Sequence, residues 1–304
     1  MKNLLILVDK VGKKKELFSE LISERIGKEN IKLTLARFSD LSFEIDNKNI
    51  SIKIYDQNIK DFDLIYFRRV GDVYFSLAGT LAICLNYLKI PFYDTTFAEV
   101  GPDEDKLTSL TRLCLAGLPT IPTYFCWPTH ITENQKHIIQ KLGFPLVAKS
   151  LGSHRGEGVY LLKTEEDFAK LPLDEEKQFL FQKFVDNDEE YRLLVLKDKV
   201  VVAEKKIRTD PNEFRNNVAI GAREEFLNIN DVPENFKEIA VKGAKTLKIQ
   251  TAGADVMIDK ITGEPWLLEV NRGPGLTYDT KISPEIDELA KFFIRELKNK
   301  DDSN

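Results

Sequence analysis

The feature that most restricts the fold of this chain is a predicted β-hairpin near its C-terminal end. Two apolar runs, residues 254–259 and 265–271, flank a short polar stretch and predict two antiparallel strands joined by a tight turn. If the turn is centred on Thr262, Asp255 pairs with Glu269, and directly paired residues point to the same face of a hairpin. The sequence therefore predicts two carboxylates that face each other on an otherwise apolar element.

The opposed carboxylates of Asp255 and Glu269 predict a cation site. Like charges directly opposite each other repel, so the pair needs a cation nearby. Asn271 lies two residues beyond Glu269 and therefore on the same face of its strand. Two carboxylates and an amide oxygen suit a hard ion such as Mg²⁺, which shares phosphate oxygens, with Mn²⁺ as an alternative. A solvent-exposed face with incidental charges is the opposing interpretation, but the apolar neighbours favour partial burial.

Composition narrows the class of protein. Of the 304 residues, 42% are hydrophobic and 31% are charged, which excludes a disordered or low-complexity chain. The net charge of −5 disfavours a general nucleic-acid binder. Three cysteines without metal-ligand spacing disfavour a disulfide scaffold or a zinc site and indicate a reducing cytoplasm. The longest uncharged stretch, residues 73–88, is shorter than the roughly 20 residues that span a bilayer, so no membrane partner is expected.

The order of predicted elements changes along the chain. Strands and helices alternate over residues 1–100, which predicts a small parallel sheet, with a hairpin at residues 43–55. No Gly-x-Gly-x-x-Gly sequence follows the first strand, so the dinucleotide-binding fingerprint is absent. Residues 101–183 again mix helices and strands, and residues 184–304 contain antiparallel hairpins. This order predicts an α/β domain followed by α+β structure.

A glycine-rich loop follows the apolar strand that ends near Lys149. Its sequence, Gly-Ser-His-Arg-Gly-Glu-Gly, occupies residues 152–158 and lacks the Gly-Lys-Ser/Thr ending of a P-loop. Glycines allow backbone N–H groups to converge on phosphate oxygens. Taken alone, the loop is explained more simply as a hairpin without a ligand. A lysine at the end of an apolar strand requires a partner, however, and a phosphate would supply one.

Two shorter segments complete the candidate set. Residues 182–185, Gln-Lys-Phe-Val, follow an apolar strand and precede the acidic run 186–190. The backbone of such a link can contact an adenine edge, and a carboxylate can bind ribose hydroxyls. Residues 214–217, Phe-Arg-Asn-Asn, place Arg215 where it could hold an anion through two hydrogen bonds. Taken alone, residues 182–185 are explained more simply as a strand end with a polar loop, and residues 214–217 indicate little by themselves.

Together and in this order, these motifs resemble the ATP-grasp superfamily, and most closely its RimK-type glutamate ligases. The resemblance covers roughly residues 105–280, and the ordered set is far more specific than any single member. The matching segments are residues 105–109, 147–150, 152–158, 182–185, 190–192, 214–217, 253–255 and 268–271.

The resemblance implies a fold of mixed α/β and α+β class, the ATP-grasp fold. A small N-terminal parallel α/β domain, the pre-ATP-grasp domain, would occupy residues 1–100. Two α+β lobes that clamp ATP would follow, the smaller one with a linker helix over residues 101–183. The C-terminal lobe, residues 184–304, would carry the metal site.

The resemblance also implies which side chains bind ATP and its metal ions. Lys106 and Lys149 would bind the phosphates, and Glu190 would hold the ribose. Asp255, Glu269 and Asn271 would hold two Mg²⁺ ions. The residues expected to contact the nucleotide are Lys106, Lys149, Ser153, His154, Arg155, Gly156, Gly158, Gln182, Lys183, Phe184, Val185, Glu190 and Arg192. Such a set suits phosphoryl transfer, which depends on positioned positive charge more than on a covalent nucleophile.

The implied activity is that of an ATP-dependent carboxylate–amine ligase. The substrate carboxylate would take the γ-phosphoryl group to give an acyl phosphate, and an amine would then displace phosphate. Arg215, with Arg208 behind it, would stabilise the developing oxyanion, an effect worth about 10²–10³ in rate for one donor. Asn217 would orient the phosphate. The expected substrates are an amino acid such as glutamate and a peptide, protein or amino-acid acceptor.

Alternative functions keep the same core. A D-alanine–D-alanine-type ligase and a ligase that crosslinks side chains of a ribosomally made peptide differ only in their substrates. A non-catalytic ATP-binding sensor should lack a metal ligand or Arg215, and this chain has both. Residues 272–276, Arg-Gly-Pro-Gly-Leu, replace the serine-containing segment common in glutamate ligases, which leaves the specificity for glutamate open.

Two further features are open to more than one interpretation. Arg68 and Arg69 end a strand of the N-terminal sheet, where ligands of open α/β sheets bind. Recognition of a substrate carboxylate and an ordinary solvated arginine pair explain them equally well. The helices predicted over residues 73–88 and 284–297 are consistent with an interface in a homo-oligomer and equally with burial inside one chain.

Overall fold

The computed structural model describes residues 2–26, 31–46, 49–70, 72–93, 97–98, 106–151, 158–173, 177–210, 213–214, 221–272, 274–277 and 279–292. Contacts divide the chain into two compact units. Unit 1 comprises Met1–Leu115 and Pro122–Phe184, and unit 2 comprises Ala116–Ile121 and Val185–Asn304.

The described residues form sixteen strands and five bounded helices. The strands are β1 (Lys2–Val8), β2 (Ile31–Arg37), β3 (Leu41–Asp46), β4 (Asn49–Ile54), β5 (Gln57–Asn58), β6 (Leu64–Arg69), β7 (Phe92–Tyr93), β8 (Thr123–Cys126), β9 (Leu146–Ser150), β10 (Val159–Leu162), β11 (Phe179–Lys183), β12 (Glu189–Leu196), β13 (Lys199–Ile207), β14 (Arg223–Leu227), β15 (Thr251–Ile258) and β16 (Pro265–Arg272). The helices are α1 (Lys13–Ile26), α2 (Phe75–Leu88), α3 (Lys106–Leu115), α4 (Ile131–Leu142) and α5 (Glu234–Thr246). Residues 285–292 are also helical.

A parallel sheet forms the N-terminal part of unit 1. Its strand order is β2-β1-β6-β7, and every pair is parallel. Four consecutive apolar residues of β1, positions 5–8, are almost completely buried, as expected for a strand covered on both faces. The small parallel α/β arrangement expected for this region is confirmed.

A seven-stranded antiparallel sheet forms the rest of unit 1, in the order β10-β9-β11-β8-β3-β4-β5. The hairpin expected near residues 43–55 is present as β3 and β4. However, β3 also pairs with β8, so this hairpin extends the sheet built by the later strands instead of joining the parallel sheet. Phe43 on β3 and Phe125 on β8 are both fully buried, with ring centroids 6.3 Å apart.

Unit 2 is built on a five-stranded antiparallel sheet in the order β14-β13-β12-β15-β16. Helix α5 packs on one face, where Phe236 meets the ring of Tyr191 at 5.4 Å between centroids. Ala240 and Ala244 are completely buried on this helix, and their small side chains allow it to lie close to the strands. The opposite face of the sheet carries the charged residues described below.

The last hairpin has the predicted register at its functional end. Asp255 pairs with Glu269, and Gly253 pairs with Asn271. A bulge beyond Asp255 shifts the pairing towards the turn by one residue, so that Val256 pairs with Leu267. Among the described helices, none is long and apolar enough to cross a lipid bilayer.

Candidate active site

Charged side chains occupy one face of the sheet in unit 2. Directly paired residues of antiparallel strands share a face, so the pairings define rows across the sheet. One row runs Phe226, Glu204, Arg192, Asp255, Glu269 from β14 to β16, and the next runs Glu224, Lys206, Glu190, Met257 from β14 to β15. Acidic and basic residues alternate from β13 to β15 in the first row and from β14 to β12 in the second, whereas Asp255 and Glu269 are adjacent acids. The seven charged members of the two rows are called the charged face.

Asp255 is the most tightly held carboxylate of the charged face and is only 3% exposed. Arg192 donates from Nε to Oδ1 and from Nη2 to Oδ2, each at 2.8 Å. Lys206 donates from Nζ to Oδ1 at 3.3 Å. Burial alone would raise the pKa of this carboxyl, but Lys206 and Arg192 outweigh it and lower the pKa to about 2. Asp255 is therefore ionised throughout the physiological range.

Glu190, the residue expected to hold a ribose, shares a lysine with Asp255. Its Oε1 accepts a hydrogen bond from Lys206 Nζ at 3.3 Å. Burial and the neighbouring Asp255 raise the pKa of Glu190 to about 7, although Lys206 and Arg192 act in the opposite direction. Glu190 therefore titrates near neutral pH.

Glu204 is the least satisfied acid of the charged face. It is 4% exposed, and its Oε1 has no hydrogen-bond partner among the described residues. Burial raises its pKa to about 7, with help from Glu224 and against the effect of Lys206 and Arg192. A carboxyl group in this position holds its proton more tightly than one in water because the ionised form is poorly solvated.

Sequence reasoning missed Glu204 and Lys206, because a bulge in the β12–β13 hairpin changes which residues face each other. The hairpin turns at Lys197 and Asp198, and this turn alone would pair Arg192 with Ala203. A bulge between Leu194 and Val195 shifts the register by one residue, so that Glu204 lies opposite Arg192 and Lys206 lies opposite Glu190. The bulge is not visible in the sequence, so the charged pairs could not be predicted from the turn.

The expected metal ligands provide oxygen donors on one face. Asn271 Nδ2 donates to Glu269 Oε1 at 2.7 Å, which leaves the role of ligand to the amide oxygen. A carboxylate offers about four lone-pair positions, and the described bonds to Asp255 use three. No cluster of three or more His, Cys, Asp and Glu side chains able to hold a metal occurs within the described ranges. Two carboxylates and an amide nevertheless fit a hard cation that keeps part of its hydration shell.

Arg208 continues the pattern at the end of β13. Its Nη2 donates to Asp188 Oδ1 at 3.2 Å, and Lys260 Nζ approaches Oδ2 of the same carboxylate at 2.8 Å. Of the two arginines expected to stabilise the oxyanion, Arg208 is the one among the described residues. Its guanidinium is hydrogen-bonded to Asp188.

In unit 1 the two lysines expected to bind phosphates are associated with one strand end. Lys149 lies on β9, and Lys106 begins α3. Lys106 Nζ donates to the carbonyl oxygen of Leu151 at 3.2 Å, so its ammonium group lies directly after β9. Gly158, at the far end of the glycine loop, has a φ of +65°, a conformation that favours glycine.

The segment expected to contact adenine has a different environment at each position. The side chain of Gln182 is buried and donates to Thr123 Oγ1 at 2.9 Å, whereas Lys183 is exposed and Phe184 half-buried. Val185 belongs to a buried apolar cluster of unit 2 with Ile121, Met257, Trp266 and Leu268. Met257 in turn pairs with Glu190, the expected ribose ligand.

Some expected site residues lie outside the described residues. They are Ser153, His154, Arg155 and Gly156 of the glycine loop, and Arg215 and Asn217 of the oxyanion and phosphate site. Of the arginines at the end of β6, Arg68 is exposed and stacks on the ring of Phe18, with 4.8 Å from its guanidinium carbon to the ring centroid.

Comparison with known proteins identifies the family. A family model described as the RimK-like ATP-grasp domain matches residues 103–293. The chain belongs to this family, and the ATP-grasp fold expected from the sequence is confirmed.

Similar curated proteins carry the name probable alpha-L-glutamate ligase. One from Legionella pneumophila (strain Corby) is 31% identical over 182 residues, which is 58% of each protein. Another, probable alpha-L-glutamate ligase 1 from Hahella chejuensis, is 31% identical over 197 residues, 62% of each. The chain thus spans less than two thirds of the relatives it matches. The crystal structure of D-cycloserine synthetase DcsG shares the fold at 15% identity, with a TM-score of 0.52, over 97% of this chain and 99% of that one.

Proposed function

We propose that this protein is an ATP-dependent carboxylate–amine ligase that forms an amide bond and releases ADP and phosphate. The observation that carries the proposal is the pairing of Asp255 with Glu269 beside Arg192 and Lys206 on one face of the sheet. Oxygen ligands for cations and fixed positive charges are the two requirements of phosphoryl transfer. A purely structural sheet would not place so many ionisable groups on a partly buried face.

The described residues supply distinct parts of the reaction. Asp255, Glu269 and Asn271 would hold Mg²⁺, which when bound would offset the negative charge of the phosphates. Lys106 and Lys149 would bind ATP phosphates from unit 1. Glu190 would accept from ribose hydroxyls, while Val185 and Met257 would offer an apolar surface to adenine.

The reaction has two steps. An oxygen of the substrate carboxylate attacks the γ-phosphorus of ATP, and the bond from that phosphorus to the oxygen shared with the β-phosphate breaks, which gives an acyl phosphate and ADP. The amine nitrogen then attacks the acyl carbon, the carbon–oxygen bond to phosphate breaks, and the nitrogen loses a proton. Arg215, Arg208 and Asn217 are our candidates for stabilising charge during these steps.

The proposed substrates are an amino acid and a peptide, protein or amino-acid acceptor. Support comes from the curated relatives, whose name specifies alpha-L-glutamate ligation. Residues 272–276 differ from the segment common in glutamate ligases, so a pool of amino acids is a better first probe than glutamate alone.

The test is ADP formation from ATP and Mg²⁺ with pooled amino acids and short peptides. We expect substrate-dependent ADP release that Glu269→Ala lowers by about 10³-fold or more, because loss of metal binding removes several kcal/mol of charge stabilisation. Glu264→Ala is the matched control, since Glu264 is exposed in the turn of the same hairpin.

Binding of ATP, measured by calorimetry, gives a second readout. Wild-type protein that fails to bind Mg²⁺-ATP would overturn the proposal. Equal activity of Glu269→Ala and wild type would remove Glu269 from the metal site.

A further inference from the structure

The charged face has an apolar border on the side of Leu194. The row next to Arg192 and Asp255 contains Val202, Leu194 and Gly253. Leu194 and Val202 belong to a buried cluster that Phe292, near the end of the described chain, completes. The helical residues 285–292 therefore pack on the same face as the charged residues.

The segment that follows β16 lies directly on this face. A Cβ atom built on Gly253 would lie 2.6 Å from Cβ of Pro274, a distance that real Cβ contacts do not show. Gly253 and Asp255 are two residues apart on β15, so the position that Pro274 fills is on the side of the charged face. Any side chain at position 253 would displace the segment.

Three residues later the same segment, still on this face, reaches the edge strand β14. Thr277 Oγ1 donates to Glu224 Oε1 at 3.2 Å, and Glu224 lies on β14 opposite Lys206. In the strand order β14-β13-β12-β15-β16, residues 274–277 therefore run diagonally across β12 and β13. This segment, called the wall segment, borders the charged face and limits the space above it.

A buried carboxylate holds the end of the wall segment. Glu285 Oε2 accepts from the backbone N–H of Thr277 at 2.7 Å and from Ser283 Oγ at 3.0 Å. Glu285 is 3% exposed and Ser283 is 2% exposed. Ser283 Oγ also accepts from the backbone N–H of Glu285 at 3.2 Å, so the three residues form a closed clasp.

The use of a charge in this clasp requires an explanation. Burial of a carboxylate is costly unless strong hydrogen bonds compensate for lost water. Glu285 fixes the geometry of the wall segment, because it accepts from a backbone N–H that no regular strand or helix satisfies.

We propose that Glu285 is a positioning residue that sets the binding of the substrate other than ATP, by holding the wall segment through the backbone of Thr277. The inference rests on the proposed function and extends it to a residue outside the charged face. The wall segment starts two residues after β16 ends at Arg272 and borders Gly253, the partner of Asn271. A displaced wall changes the shape of the space beside the metal ligands without changing the ligands themselves.

The test separates the two substrates kinetically. Glu285→Ala is expected to raise KM about tenfold or more for the amino acid that the pooled assay identifies, because it removes hydrogen bonds to a charged acceptor. The KM for ATP should change less than about twofold. Glu285→Gln keeps an oxygen acceptor and should recover most of the affinity, and Asp287→Asn, exposed on the same helix, is the control.

Thr277→Val gives a second perturbation that does not depend on the fold of Glu285→Ala. It removes the hydroxyl donor to Glu224 but keeps the backbone N–H to Glu285, so a smaller rise in the same KM is expected. In Glu285→Ala, an equal rise in the KM for the amino acid and the KM for ATP, or no rise in either, would overturn the inference. Failure of Glu285→Gln to recover the affinity would also overturn it.

Hydrogen exchange distinguishes failure of this inference from failure of the proposed function. Peptides that contain residues 274–283 should exchange faster in Glu285→Ala than in wild type, whether or not the protein turns over substrate. Unchanged exchange would overturn the clasp. Faster exchange in a protein without ligase activity would retain the clasp and reject the proposed function.

Discussion

The two faces of the five-stranded sheet are built from the same strands but stabilise the protein in different ways. Towards α5, β12 presents Leu193 and Val195, and β15 presents Ala254 and Val256, all completely buried. Glu190, Arg192 and Asp255 alternate with these apolar residues along the same strands and point to the other face. One face gains stability from apolar burial, whereas the other depends on charges that compensate one another.

This difference identifies where function constrains the sequence. If stability were the only requirement, the second face could also be apolar, like the face under α5. Well-packed apolar residues often replace buried ion pairs without loss of stability. The charged face therefore has a role that packing does not explain. The clearest sign is Glu204, whose buried Oε1 accepts no hydrogen bond from the described residues.

The largest expected effect on stability comes from breaking the charged face at its centre. Asp255→Ala would leave Arg192 and Lys206 without their shared partner, at a cost of about 3–5 kcal/mol in the free energy of unfolding. Urea unfolding followed by circular dichroism measures this cost. Asp259 is half-buried and lies outside the network, but its side chain caps the turn, so Glu264→Gln is the cleaner control. A loss below about 1 kcal/mol would mean that the ion pairs contribute little.

A matched change on the opposite face should affect stability alone. Leu193→Ala removes a fully buried side chain and is expected to cost about 2–5 kcal/mol through lost burial and a residual cavity. The turnover of the folded fraction should stay near wild type, because Leu193 points away from the charged face. Comparison of unfolding curves with ADP formation checks this, and a fall in turnover without unfolding would contradict the separation of the faces.

The smallest expected effect is the pH-dependent gain of stability produced by Glu204→Gln. The folded-state pKa of Glu204 is raised from 4.5 to about 7, so the folded protein holds a proton that the unfolded chain releases between these values. Stability therefore falls as pH rises through this window, by up to about 3 kcal/mol for this group. Glu204→Gln should flatten part of that slope and be more stabilising at pH 8 than at pH 5.

Unfolding curves at several pH values provide the measurement for Glu204→Gln. Glu225→Gln is the control because Glu225 is exposed on the adjacent strand. Equal stabilisation by Glu204→Gln at both pH values would exclude an ionisation penalty at this site. Glu190, which also titrates near pH 7, explains why some slope should remain.

Local patterns predicted much of this structure. Apolar runs bounded by polar turns gave the strands of the last two hairpins, and the symmetry of the final turn predicted the pairing of Asp255 with Glu269. These features depend on residues close together in the chain, where strand periodicity and turn length determine which side chains meet.

Contacts between distant segments were not predictable in this way. The pairing of β3 with β8, the edge strand β14, and the contact of Thr277 with Glu224 join residues far apart in sequence. No local periodicity specifies such partners, because they result from packing of the complete chain. Glu285 illustrates the point, since a glutamate at the start of a helix is ordinary in sequence and becomes informative only through its buried partners.

The pairing of β3 with β8 has a consequence for how the chain is made. During synthesis the β3–β4 hairpin is complete before β8 has been translated, so the edge of β3 stays unpaired until β8 emerges. Conversely, a fragment limited to the family region, residues 103–293, would leave the fully buried strand β8 with one unpaired edge, a template for aggregation. The limits of the family region are therefore not the limits of a unit that can be expressed alone.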